Sequence, residues 1–157
     1  MMNALKTILY MGCMHGLITF YIPYQLASRD VSFFDTGIFR YLAFPFWILG
    51  AWIIVQCSLD IINRGRGTPA HLDPPRELLI HGWYHRLRNP IYFGAEIFQA
   101  GFIVWFGSVW AFIYTLLLFL TFHFLIVAIE EPILRNTFGA VYEEYCRTVP
   151  RWIPRFK

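Results

Sequence analysis

Arg88-Asn89-Pro90-Ile91-Tyr92 stands between a loop rich in arginine and a long apolar run, and it has a second half further along the chain. That half is Glu130-Glu131-Pro132, followed by Phe138-Gly139, Tyr142, Tyr145 and a closing Val149-Pro150-Arg151-Trp152-Ile153-Pro154. Asn89 before Pro90 predicts a helix start, because Asn caps free amides and Pro at the first helical position gives up an amide that had no partner. Taken alone, that is a structural cap. Arg88 just before it and Tyr92 and Gly94 just after converge at a positive helix end, which suits a carboxylate or phosphate. Glu96 and Gln99 follow one turn apart on the same run, where an ionisable group is costly. Glu96 therefore reads either as a functional group facing a cavity or as a hydrated carboxylate paired with a loop arginine.

Glu130 and Glu131 are expected to end an apolar helix beside the negative end of its dipole, so something cationic or hydroxyl-bearing must compensate them. Either Arg135 and Arg88 tie them into an interfacial ion cluster, or one carboxylate binds ligand hydroxyls or an ammonium group. His123 lies two turns before Glu130 on one helix face. A lone histidine among aromatics is more often a hydrogen-bonded packing residue than a proton relay, and His15 has a still weaker case. Gly94 and Gly101 read as sites of close helix packing.

These side chains need elements to position them, and the composition says which. A chain of 157 residues with 57% hydrophobic, 20% aromatic and 15% charged residues is too apolar for a water-soluble domain, so its surface must face lipid. About 20 apolar residues at 1.5 Å rise cross the hydrocarbon core, which predicts crossings at residues 5–27 and 38–60. The first begins after Lys6 and is too long for the core of a cleaved signal peptide. Despite the weak Ala27-Ser28 cleavage pattern it reads as a retained anchor. The apolar run 91–129 is too long for one crossing, and Gly107-Ser108 divides it into a tight hairpin of 90–106 and 109–129, with Trp105 and Trp110 as interfacial anchors.

Arginines crowd the 61–90 loop and the tail, but only Arg29 lies in the 28–37 connection and no charge lies in the hairpin turn. Both termini and both motif clusters are therefore expected on the cytoplasmic side. Pro69, Pro74 and Pro75 make the loop an extended connector. Phe138, Val141, Tyr142 and Tyr145 predict an amphipathic helix over 136–146. The expected fold is an all-α integral membrane protein of about four transmembrane helices, the last two a tight hairpin, plus a cytoplasmic amphipathic C-terminal helix. It forms one membrane domain, 1–157, with two N-terminal helices in 1–60 and the motif-bearing part in 61–157. Cys13, Cys57 and Cys146 are scattered without metal-ligand spacing, and the basic residues form no nucleic-acid-reading stripe, so neither a metal nor nucleic acid is expected.

In combination these motifs resemble the isoprenylcysteine carboxyl methyltransferase and phospholipid methyltransferase group of integral membrane enzymes. The resemblance covers roughly residues 60–157. It rests on Arg88-Asn89-Pro90-Ile91-Tyr92, Glu130-Glu131, Phe138-Gly139-Ala140-Val141-Tyr142-Glu143-Glu144-Tyr145 and Val149-Pro150-Arg151-Trp152-Ile153-Pro154. Gly67-Thr68-Pro69, Asp73-Pro74-Pro75 and Leu78 to Tyr84 are similar to bacterial members, and a bacterial inner membrane is the expected location. Asn89 stands where eukaryotic prenylcysteine enzymes have His.

The resemblance implies S-adenosylmethionine as methyl donor, bound at the cytoplasmic ends of the last two crossings under the tail helix. Arg88, Asn89, Tyr92 and, from the reading above, Glu96 are the expected catalytic residues. Pro90, Tyr92, Glu130, Glu131, Tyr142, Tyr145 and Arg151 are the expected cofactor-binding ones. The acceptor is expected to be lipophilic and to enter from the membrane lipid, bearing a carboxylate, thiol, amine or phospholipid headgroup. From a different class, a non-catalytic small membrane protein of assembly or transport would use the same motifs as structural ties. A transporter would show broken helices and polar groups near mid-membrane instead of at one face.

Overall fold

The computed structural model describes residues 9, 12–30, 34–65 and 77–155, and within them the apolar runs of the sequence form helices. The connector 66–76, with Gly67, Pro69 and Asp73-Pro74-Pro75, lies outside the described residues, as do Lys6 and the start of the first predicted crossing. Helix α1 (residues 14–28) runs through wide turns over Met14–Tyr21 into Ile22–Ser28. Helix α2 (residues 37–65) enters by a tight 3₁₀ stretch, Gly37–Leu42, and continues past the predicted end at Asp60. Helix α3 (Pro90–Phe106) and helix α4 (residues 109–138) form the hairpin, and α5 (Ala140–Thr148) follows. Among the described residues all regular structure is helical.

Two helices, Gly37–Asn63 and Val109–Phe138, are long and apolar enough to cross a membrane, and α3 is apolar but shorter. The apolar stretch of the second has a mean hydropathy of 2.4 although only 17% of it is buried within the protein. A helix that is apolar and yet uncovered by its own chain is solvated by hydrocarbon. Leu116, Leu117, Leu120 and Phe124 on α4, and Ile48, Trp52 and Val55 on α2, make up much of that outward face.

The hairpin turns at the predicted place for reasons local to two residues. Gly107 adopts the left-handed conformation, φ 59°, and closes α3 with its amide on Ile103 O. Ser108 then opens α4 by accepting the Ala111 amide at 3.1 Å, and its hydroxyl donates to Asp30 Oδ2 at 2.7 Å, which ties the end of α1 to the hairpin tip. The packing between α2 and α3 is the most extensive in the bundle. It relies on Gly50 and Gly94 facing each other, while Gly101 lies under the Trp47 ring, so both α3 glycines serve close packing as their sequence context suggests.

A Cβ on Gly50 would fall 2.6 Å from Gly94 O and 2.7 Å from Phe98 N, both backbone atoms that cannot swing aside. Gly50→Ala is therefore expected to lower stability by about 1–3 kcal/mol, read as a drop in the thermal midpoint of the detergent-purified protein. An unchanged midpoint would mean that α2 and α3 stand further apart than described.

Two predicted boundaries need correction. The last crossing does not end at residue 129. A wider π turn, Ile126–Glu130, carries the helix on into Glu131–Phe138, so Glu130 and Glu131 lie inside a continuing helix and not at its negative terminus. The tail helix does not begin at 136 either: Gly139, at φ 52° and ψ −127°, breaks the chain between Phe138 and Ala140. That backbone geometry is open to glycine and closed to most other residues.

Candidate functional site

The π turn has a geometric result. One extra residue per turn rotates everything after it about the helix axis, and such turns often sit at functional sites. Here it brings Glu130 to the Tyr92 hydroxyl, which donates to Glu130 Oε1, and brings Glu131 to the start of α3. The Tyr92 ring lies against Phe122, centroids 4.6 Å apart, in a core cluster with Ile54, Ala95, Leu118 and Ile126.

Glu131 is the hub. Arg88 Nη1 donates to its Oε1 at 3.0 Å, Arg151 Nε to Oε1 at 2.7 Å and Arg151 Nη2 to Oε2 at 3.0 Å. Arg135 approaches Oε2 at 3.8 Å while pairing with Glu143 at 2.8 Å. The Glu131 and Arg88 side chains are 6% and 11% exposed, against 46% for Arg135, so the inner pair is the one that solvent and salt screen least. Arg135 is shared with Glu143, and Glu130 adjoins Glu131, so Arg88, Arg135 and Arg151 stand among three carboxylates. Arg88 also donates to Cys146 Sγ at 2.8 Å, and its Nε is buried without a partner among the described residues.

The tail supplies half of this site by folding back. The Arg88 amide donates to Pro150 O at 2.9 Å and the Arg155 amide to Arg86 O at 3.1 Å, so the segment entering α3 and the segment leaving α5 are laced together. Asn89 joins them: its Nδ2 donates to Arg151 O at 3.2 Å. Its side chain does not cap α3, which corrects the cap reading; Pro90 alone carries the helix-start signal. Trp152 then lies on α4, 4.8 Å from Phe119 between centroids, and its indole N–H donates to His123 Nδ1 at 3.2 Å. That is the packing role expected for His123. His15 shares a hydrogen bond with Thr19 one turn along α1.

Tyr142 and Tyr145 are buried in a small core with Val149, Leu78, Leu134 and Phe138 that docks α5. The Tyr145 hydroxyl donates to Tyr84 O at 2.6 Å. Burial pushes both phenols well above the ordinary tyrosine range, so they remain neutral donors. The hydrogen bond to Glu131 holds the Arg151 guanidinium still more firmly in its charged form. An open groove of about 720 Å³ between residues 78–85 and α5 takes in Tyr145 alone of the predicted residues, so it is separate from the point where the motifs meet.

The structure thus brings together Arg88, Asn89, Tyr92, Glu130, Glu131 and Arg151, with Pro90 setting the helix start and Tyr142 and Tyr145 holding the tail. Glu96 lies one turn beyond Tyr92 on α3. Sequence reasoning missed Cys146 and the Trp152 contact. The spacing 142, 145, 146, 149 along α5 was the available signal for Cys146, since it marks one inward face.

An all-helical bundle with lipid-facing helices and a buried cluster of arginine and glutamate at one end defines a membrane protein with a polar site. The model of the phospholipid methyltransferase family matches residues 39–141, about two thirds of the chain, and the protein belongs to that family. The match takes in Arg88 through Glu96 and both glutamates, and ends just before Tyr142, so Tyr145 and Arg151 stand beyond it. Comparison with individual characterised proteins and with solved structures gave no significant match to either.

Proposed function

We propose that the protein transfers a methyl group from S-adenosylmethionine to a lipophilic acceptor that reaches the site from the bilayer. The observation that carries this is the meeting of Arg88, Arg151, Glu131 and the Tyr92–Glu130 pair at the foot of the α3–α4 hairpin, in a chain of a methyltransferase family. The reading includes four crossings, both termini and the site on the cytoplasmic side, and a bacterial inner membrane.

The residues fit an amino-acid-bearing donor. Its carboxylate needs buried N–H donors, and the unpartnered Arg88 Nε offers one. When bound, the donor would supply an electrophilic methyl on a sulfonium, whose sulfur would keep the bonding pair and depart as a neutral thioether in an in-line displacement. Arg88 and Arg151 would hold the donor carboxylate, and Glu130, oriented by Tyr92, would accept from an ammonium or ribose hydroxyl.

Alignment in a dry site supplies most of the acceleration such a displacement needs. Trp152 and the laced tail exclude water, while Tyr142 and Tyr145 keep the tail in place. A carboxylate acceptor requires no base. An amine or thiol must lose a proton, and Glu130 would take it.

Calorimetry with S-adenosylmethionine and its demethylated product tests the proposal on the purified protein, in detergent and again in lipid nanodiscs. Saturable binding of both is expected. A folded protein that binds neither in either setting overturns the reading and leaves the ion cluster as a structural tie.

A further inference from the structure

Polar groups inside a lipid-facing bundle are expensive, and nearly all buried ones are hydrogen-bonded. Two on α3 are not fully so. Gln99 is completely buried: one end of its amide meets the Thr115 hydroxyl at 3.2 Å, and its Nε2 has no partner. Glu96, one turn earlier on the same helix, has a buried Oε1 without a partner. Tyr114 of α4 lies within electrostatic reach of Glu96 and spends its hydroxyl on Ile18 O at 2.8 Å, so it does not satisfy the carboxyl. On α1, which packs against α3, His15 Nε2 is a third buried atom without a partner.

The chemistry of this pair restricts what it can receive. The Thr115 hydroxyl has one proton and two oxygen neighbours, Ala111 O at 2.8 Å and the Gln99 amide. The free end of the amide is therefore able to present either N–H or C=O. The Glu96 carboxyl likewise accepts, or donates when protonated. A ligand group that both donates and accepts without carrying charge satisfies every such combination, and a hydroxyl is the simplest. Arg88, which precedes α3, lies about two turns before Glu96, and no donor or acceptor among the described residues meets either unpartnered atom, so nothing in this pair favours an anion.

We propose that Glu96 and Gln99 form a receptor, at lipid depth, for a hydroxyl carried on the hydrocarbon part of a lipophilic ligand. Resting on the methyl-transfer reading, that ligand is the acceptor. Its hydroxyl then sits roughly 6–10 Å along the α3 axis from the level of Tyr92, four to seven residues at 1.5 Å each. The pair selects acceptors with a second, neutral polar group at that distance from the methylated atom.

The test uses radiolabelled 1-dodecanol, dodecane and dodecyl methyl ether with the full-length protein in phosphatidylcholine nanodiscs, counted against protein-free discs. Saturable retention of the alcohol, exceeding that of the alkane and of the ether, is expected. Gln99→Leu is expected to weaken alcohol retention about five- to tenfold, the loss of one hydrogen bond. Equal retention of alcohol and alkane, or alcohol binding undiminished in folded Gln99→Leu, overturns the receptor. The comparison of the three probes on the wild-type protein stands even where the variant fails to fold.

Calorimetry with S-adenosylmethionine on the same discs separates the two readings. Selective alcohol retention without donor binding upholds the receptor and removes only its identification with a methyl acceptor. Donor binding without selective alcohol retention overturns the receptor alone.

Discussion

Glu131→Ala is expected to cost about 3–5 kcal/mol of stability, because it leaves the guanidiniums of Arg88 and Arg151 beside each other with no anion between them. A buried pair broken on one side is far worse than no pair, since the surviving charge keeps its desolvation cost and loses its attraction. Arg88 is the more enclosed of the two, 11% against 30% exposed, and its own amide is bonded to the tail through Pro150 O. Glu131→Gln keeps the shape and one acceptor and is expected to lose less than half as much. Thermal midpoints of the detergent-purified variants, ranked wild type, Gln, Ala, are the check. An Ala variant as stable as wild type would mean that the cluster is hydrated and mobile, and it would remove the preorganised site on which the proposed mechanism depends. The prediction also makes the alanine variant a poor control for ligand binding, since lost binding would report lost structure.

Arg88→Lys is the variant that separates charge from geometry. Lysine keeps the positive charge beside Glu131, so the fold should largely survive, but its ammonium cannot at once reach Glu131 and Cys146 and leave an N–H such as Nε for a ligand. If Arg88 holds the donor carboxylate, the Kd for S-adenosylmethionine should rise about 100-fold, near 3 kcal/mol at 1.4 per decade. Calorimetry on a variant whose thermal midpoint lies close to wild type gives the answer. A Kd within a few-fold of wild type would move the carboxylate contact away from Arg88.

The parts of this structure legible in the sequence were those set by neighbouring residues. Pro90 gave the first residue of α3, and Gly107-Ser108 gave both the end of α3 and the start of α4, because each signal acts within one turn of chain. The apolar lengths gave helices where helices are found. The parts that were not legible depend on residues far apart or on a helix irregularity with no residue signature. Nothing in Ile126–Glu130 announces a π turn, so the glutamates appeared to end a helix that in fact continues. Asn89 bonds a carbonyl 62 residues away, and no local preference competes with that once the tail is docked. Gly139 was seen as part of a motif but read as lying inside a helix, while its ψ of −127° makes it the corner between two. At the site itself, the residue types pointed to Arg88 and Glu131 as partners, and the structure adds Arg151 as the stronger one.

The lacing of the tail onto the segment before α3 also sets an order of events. Arg151 follows Glu131 by 20 residues, and the segments that hold the cluster together, Arg86 to Asn89 and Pro150 to Arg155, lie on opposite sides of the whole hairpin in the chain. The carboxylate hub therefore gains its full cation shell only when the tail has folded back, so closing the cluster is a step that follows formation of the hairpin.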